Sequence, residues 1–166
     1  HQGVFSLVKE LTLKDGKLYQ YPVPAIKDLR AEAQPFTALA ESKNSYELEL
    51  DFAANTEHEI ILFADKNGKG LRINFDLKAG QVTVDRSQAG EPFALDFGTS
   101  RSCNIDKEAT NASIFIDKSI FEIFINKGEK VFSGRVFPRE DQTGIAITKG
   151  NPTGTYYELE YGRKAN

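Results

Sequence analysis

Glu122 is the residue whose surroundings most demand chemistry: within Ile120-Phe121-Glu122-Ile123-Phe124-Ile125 it is one carboxylate among five apolar side chains. A carboxylate so placed costs several kcal/mol unless cations or hydrogen-bond donors compensate it. Two readings follow. Paired with an arginine, Glu122 is a structural salt bridge, and Arg86 and Arg135 are the partners the sequence offers. Left unpaired, it is an acid of raised pKa. The salt bridge is preferred, because perturbed carboxylates occur in structural ion pairs as well as at reacting centres.

Other candidate chemistry is weaker. Asp65-Lys66-Asn67-Gly68-Lys69-Gly70, with Asp76 further on, has the outline of a calcium loop. Such a loop needs oxygen ligands at alternating positions, and lysine occupies one of them here, so a hairpin turn is expected and no metal. His1 and His58 are unaccompanied, and His58 between Glu57 and Glu59 reads as a solvated strand residue. Cys103 has no histidine nearby in sequence and is read as a small packing residue. Asn111-Ala112-Ser113 fits a glycosylation acceptor only by its short pattern. Tyr19, Tyr21, Tyr156 and Tyr157 offer flat faces for stacking on a sugar; of these Tyr156, projecting with Glu158 and Glu160, and the two hairpin tyrosines are the expected exposed platforms. Phosphate-cradling glycine loops and nucleophile elbows do not occur.

The elements that must position these residues are strands. Tyr46, Leu48, Leu50 and Phe52 alternate with Glu47, Glu49 and Asp51; Leu71, Ile73, Phe75 and Leu77 alternate with Arg72, Asn74 and Asp76; Thr155, Tyr157, Leu159 and Tyr161 alternate with Tyr156, Glu158 and Glu160. A period of two marks half-buried antiparallel strands. Asp15-Gly16, Asn67-Gly68, Gly80, Asn126-Lys127-Gly128 and Asn151-Pro152-Thr153-Gly154 are residue types that permit tight turns. Many short strands between such turns predict a two-sheet antiparallel sandwich. Ile114 to Ile125 is apolar on both faces and reads as a central strand covered on both sides. Ahead of these, Val4 to Leu13, the turn at Asp15-Gly16 and Leu18 to Val23 suggest a hairpin, and Ala25 to Arg30 a short helix.

The 166 residues suit one domain with an appendage, and 12 phenylalanines within 40% apolar residues can build a core. With 21 basic against 24 acidic residues the net charge is -3, which gives no basic footprint for nucleic acid and no polybasic membrane patch. One cysteine allows no internal disulfide, and no apolar run is long enough for a membrane span or signal core, so a cytoplasmic origin is favoured. The chain has no methionine and opens His1-Gln2-Gly3, which leads to the expectation that a preceding part is missing.

Asp117-Lys118-Ser119-Ile120-Phe121-Glu122-Ile123-Phe124-Ile125-Asn126-Lys127-Gly128-Glu129 resembles the Asp-Lys-Ser-x-x-Glu-Ile-Phe-x-Asn-x-Gly-Glu stretch of glycoside hydrolase family 32, and Val84-Asp85-Arg86-Ser87 resembles its Val-Asp-Arg-Ser. Arg135-Val136-Phe137-Pro138 and Ser45 to Leu50 agree with the same pattern. Leu18 to Val23, followed by Leu29-Arg30, resembles Leu-x-Gln-x-Pro-Val followed by Leu-Arg, whereas Val8-Lys9-Glu10-Leu11 departs from Pro-Arg-Glu-Leu. The resemblance implies an all-β, two-sheet antiparallel sandwich of the concanavalin or lectin-like kind. Residues 36–166 would form the sandwich and residues 1–35 would join it to a catalytic β-propeller that precedes it. Asp85, Arg86, Asp117, Glu122, Asn126 and Arg135 are its structural motif residues.

The same resemblance implies a parent reaction, hydrolysis of β-fructofuranosyl bonds with retention, in sucrose-6-phosphate, sucrose or a fructan, with sucrose-6-phosphate favoured for a cytoplasmic enzyme. No cofactor is implied. The family's Asn-Asp-Pro-Asn, Arg-Asp-Pro and Glu-Cys motifs do not occur in this chain. The expectation is therefore a sandwich inactive by itself, with no catalytic, substrate or metal residue of its own. Its implied partners are the propeller of the same polypeptide and a second copy in a homodimer. The alternative is a free-standing lectin-like module.

Overall fold

The computed structural model describes residues 3–160. His1 and Tyr161, which the sequence reading touched, lie outside the described residues. Thirteen strands run β1 (Lys9–Lys14), β2 (Lys17–Pro22), β3 (Gln34–Pro35), β4 (Ser45–Phe52), β5 (Glu57–Ala64), β6 (Leu71–Asp76), β7 (Gln81–Asp85), β8 (Ser100–Asn104), β9 (Thr110–Asp117), β10 (Ile120–Ile125), β11 (Lys130–Arg135), β12 (Gly144–Lys149) and β13 (Thr153–Glu158). A six-stranded sheet has the order β11-β10-β9-β4-β13-β3, a five-stranded sheet the order β12-β5-β6-β7-β8, and β1-β2 is a separate hairpin. Adjacent strands pair antiparallel throughout.

Strand alternation builds the core. Tyr46, Leu48, Leu50 and Phe52 of β4, Ile114 and Ile116 of β9, and Phe121, Ile123 and Ile125 of β10 meet Ile73, Phe75, Val82 and Val84 of the other sheet. Phe52 stacks on Phe75 with ring centroids 4.2 Å apart across the interface. At the β11 edge the large ring of Phe121 lies opposite Gly134, where any Cβ would collide with it. A large and a small residue thus share one cross-strand pair.

Four details depart from the sequence reading. Ile114 to Ile125 is a hairpin rather than one strand: β9 and β10 reverse at Lys118-Ser119, where Lys118 has φ 55° and its amide reaches the Asn44 carbonyl at 2.6 Å. Its two-faced hydrophobicity has the cause expected, since both faces are covered. Tyr156 is buried and stacks on Tyr46 at 5.3 Å, so it is no platform, and Tyr157 lies on the opposite face. The last strand is therefore inverted relative to expectation, because two adjacent tyrosines leave the apolar face ambiguous. Thr153 and Gly154 already belong to β13, and the bend before it uses Gly150 at φ 67°.

His58 is the fourth. It is buried rather than solvated, with its ring 5.2 Å from that of Phe52. Thr56 Oγ1 donates to the Ala53 carbonyl at 2.5 Å and therefore accepts from His58 Nε2 at 2.8 Å. The ring is thus the neutral Nε2–H tautomer, and Nδ1 is buried without a hydrogen-bond partner among the described residues. The Asp65 loop is the β5–β6 turn, its Oδ1 accepting the Asn67 and Lys69 amides at 2.8 and 2.9 Å. No group of three or more potential metal ligands occurs among the described residues.

Burial lowers the His58 pKa from its usual 6.5. The unfolded chain then takes up the proton first as pH falls, so this contribution is complete above about pH 6.5 and declines as pH drops from there towards the folded value. We predict that urea midpoints of this chain fall between pH 7.5 and pH 5, and that His58→Phe removes part of that slope. Equal slopes in the two proteins would refute the assignment.

Candidate functional site

The outer face of the six-stranded sheet carries the residues that alternation turns away from the core: Glu47 and Glu49 on β4, Ser113 and Phe115 on β9, Glu122 and Phe124 on β10, and Tyr157 on β13. Glu47 and Glu122 are each only 1% exposed. What covers them is the leading segment, the β1-β2 hairpin and the 3-10 turn Pro24–Leu29. Each buried carboxylate has a cation from that segment.

Lys9 Nζ lies 2.7 Å from Glu122 Oε1, the Leu7 amide donates to Oε2 at 2.6 Å, and Ser133 Oγ donates to Oε1 at 2.9 Å. The ion pair predicted for Glu122 is therefore present, with a different partner. Arg86 follows β7 in the other sheet and Arg135 is two residues beyond Ser133 on β11, where its guanidinium donates to Ser119 Oγ at 2.9 Å. Sequence reasoning missed Lys9, although a signal existed. Lys9 stands in Val8-Lys9-Glu10-Leu11 at the place of the arginine in Pro-Arg-Glu-Leu, so the departure kept the cation.

Arg30 makes the second clamp. Its Nε and Nη2 bond Glu47 Oε2 and Oε1, both at 2.7 Å, Nη2 reaches Glu49 Oε1 at 2.7 Å, and the guanidinium lies 4.2 Å from the Tyr157 ring centre. A planar fork stacked on an aromatic suits arginine rather than lysine. Burial pushes the Glu47 carboxyl up in spite of Arg30, while the two glutamates hold the Arg30 guanidinium above its usual value. In Glu47, desolvation therefore outweighs the attraction of the guanidinium.

The Asn126-Lys127-Gly128-Glu129 run is the seat of the hairpin. Asn126 Oδ1 accepts the Asn111 amide at 3.2 Å and fixes the turn to β9. Lys127 lies over the Tyr21 ring at 5.6 Å, and Glu129 pairs with Lys17 at 2.7 Å. Gly128, at φ 93°, abuts the backbone of Gln20 so closely that a Cβ would overlap its carbonyl. Only glycine fits both the positive φ and the approach. Tyr21 completes the seat, edge-on to Phe124 at 5.8 Å with its hydroxyl 2.7 Å from Ser113 Oγ.

The remaining motif residues serve elsewhere. Asp85 accepts the Ser87 amide and hydroxyl at 2.8 and 3.0 Å, which caps the bend after β7. Arg86 donates to the carbonyls of Phe93, Ala94 and Gly98. Asp117 ends β9 at the surface. The motif is thus not one site: Glu122 and Asn126 belong to the clamp, and Asp85 and Arg86 hold the loop between β7 and β8.

Residues 22–161 match the family model for the C-terminal part of glycosyl hydrolases family 32. The chain belongs to that family. Sucrose-6-phosphate hydrolase of Streptococcus mutans is 58% identical over 97% of this chain and 34% of its own length. The structure of sucrose-6-phosphate hydrolase from Lactobacillus gasseri superposes with TM-score 0.86 at 32% identity, over 92% of this chain and 33% of that one. Exo-inulinase from Aspergillus awamori, at 20% identity and TM-score 0.75 over 91% of this chain and 34% of its own, shares the fold. The chain thus spans about a third of the length of these family 32 relatives. Among the described residues no helix is long and apolar enough to cross a membrane.

Breaking a buried pair leaves an uncompensated charge, whereas replacing both partners by apolar groups costs little. We predict that Lys9→Ala destabilises the chain by about 3 kcal/mol, and that Lys9→Met combined with Glu122→Leu recovers most of that loss. Denaturant melts of the cycle decide it; a double variant as unstable as the sum of its singles would sink the pairing.

Proposed function

We propose that this chain is the accessory sandwich of a β-fructofuranosidase that acts on sucrose-6-phosphate. In this reading residues 1–35 join it to a preceding catalytic propeller and the sandwich itself carries no catalytic residue. The observation that carries the proposal is the 58% identity to a sucrose-6-phosphate hydrolase over 97% of this chain but only 34% of that protein. The hairpin supports it. Leu11, Leu13 and Leu18 lie on one face of β1-β2 and are 67%, 75% and 52% exposed, and the outer edge of β1 has no neighbour among the described strands. An exposed apolar face beside an open strand edge is a surface for another unit to cover. Association of two copies through the sandwich, and residence in the cytoplasm, complete the proposal; the lone Cys103 suits a reducing compartment. The lectin-like alternative has lost Tyr156 as a platform, since it is buried.

The test joins this chain to the first two thirds of the Streptococcus mutans relative in place of that protein's own last third. The chimera is expected to hydrolyse sucrose-6-phosphate, and this chain alone to hydrolyse none. Leu11→Glu with Leu13→Glu in the chimera should lower its Tm by several degrees while leaving the melt of this chain unchanged. Hydrolysis by the isolated chain, or a chimera indifferent to the two substitutions, would overturn the proposal.

A further inference from the structure

The side of the sandwich between the edge strands β8 and β11 is not closed by a strand. A cleft of about 250 Å³ opens there, floored by Val84, Phe121 and Phe132 and rimmed by Phe97, Arg86 and Arg101. Arginine is its only charged lining residue type, in a chain whose net charge is -3. Local positive potential in an acidic protein is a feature placed against the general field.

Two of these guanidinium groups are held without being neutralised. Arg86 donates to three carbonyls, of Phe93, Ala94 and Gly98, at 2.9 to 3.2 Å and lies 4.3 Å from the Phe93 ring centre. Arg101 donates to the carbonyls of Ser100 and Phe97 at 2.7 and 2.5 Å. Among the described residues neither has a carboxylate within ion-pair distance. Carbonyl partners fix a guanidinium in place and leave its charge intact, and Arg101 retains three of its five N–H donors. A fixed fork with donors to spare is preorganised for a phosphate or carboxylate.

Beside it Phe97 is 76% exposed although its backbone is pinned, its carbonyl accepting from Arg101 and its amide donating to the Ala94 carbonyl. A largely exposed aromatic on a pinned backbone at the mouth of a cleft offers a face for the C–H surface of a ring. The cleft volume lies under the roughly 300 Å³ at which drug-sized pockets begin, so the ligand it suits is about one ring with one anionic group.

We propose that this cleft binds a monosaccharide phosphate ester, its phosphate on Arg101 within the positive field of Arg86 and its ring on Phe97. The choice of a sugar as the ring rests on the proposed function; the anion and stacking chemistry stands on the cleft alone. The test titrates this chain with fructose 6-phosphate, glucose 6-phosphate, fructose and inorganic phosphate, with heteronuclear NMR to place the perturbed residues. Either ester is expected to bind at least tenfold tighter than fructose and than inorganic phosphate, perturbing the Phe97 and Arg101 signals. Arg101→Gln should abolish the preference of ester over fructose, and Phe97→Ala should weaken the esters about fivefold; thermal melts of both variants verify that they fold. Inorganic phosphate binding as tightly as the esters, perturbations confined to the hairpin tyrosines, or an ester preference that survives Arg101→Gln would each overturn the proposal. A chimera that fails to hydrolyse while the esters still bind here would remove the enzymatic reading and leave the cleft standing.

Discussion

Two glutamates buried on the outer face of the six-stranded sheet set the terms for the rest of the chain. Glu47 and Glu122 are almost fully excluded from water, and neither is covered by the other sheet. Their burial is produced by residues 3–30, which also bring the cations and amides that make it tolerable. Cover and compensation arrive together. Without the leading segment the outer face would present carboxylates beside Phe115 and Phe124; with it, the sheet is covered on both faces, and β9 and β10 carry apolar side chains on both. This explains why β9 and β10 lack the clean alternation of a sheet with one wet face.

The loop between β7 and β8 uses the same device with a different acceptor. Arg86 gathers three carbonyls, its guanidinium stacks on Phe93, Phe93 meets Phe137 edge-on at 5.0 Å, and Arg135 lies 4.7 Å from the Phe137 ring centre. Two cations flank two aromatic rings in one ladder that ties the β7–β8 loop to the end of β11. Such stacking contributes modestly at each step, but a loop with non-glycine Ala94 at φ 49° needs its carbonyls satisfied to hold that shape. Arg86 supplies the donors. The motif around it is legible as structure for this reason, whereas its partners are not in the motif at all.

The fold was readable because strand alternation is strict where one face meets the core, as in β6 and β7. Failures cluster where a second cover breaks that rule. Ile114 to Ile125 looked like one strand since hydrophobicity alone does not mark a turn, and Lys118-Ser119 lacks the glycine that would. Tyr156 and Tyr157 are chemically alike, and only the β4 partner decides which of them meets Tyr46. The anomaly of Glu122 was visible in the sequence, but its partner lies 113 positions away, a pairing fixed by topology and beyond the reach of local spacing. Arg86 and Arg135 are nearer in sequence, in segments that match the same family pattern, and nearness in sequence did not decide the pairing.

A two-stranded hairpin is marginal by itself, so β1-β2 holds its shape only through what it rests on. Its seat is unusually directional. Gly128 lets the Gln20 backbone approach to contact distance, Glu129 takes Lys17 near the hairpin tip, and Glu122 takes Lys9 at the hairpin base. Three such points fix a rigid body, whereas an apolar patch of equal area would permit sliding. The consequence is an orientation: with the β2 edge seated on the turn at Asn126–Gly128, the β1 edge and the face carrying Leu11, Leu13 and Leu18 are turned outward. The buried ion pair at Lys9 and Glu122 adds little net stability over an apolar replacement. What it contributes is direction, because a hydrogen-bonded charge pair is satisfied in one geometry while an apolar contact is satisfied in many. The clamp is therefore best understood as the element that aims the hairpin, and the exposed leucines as what it is aimed with.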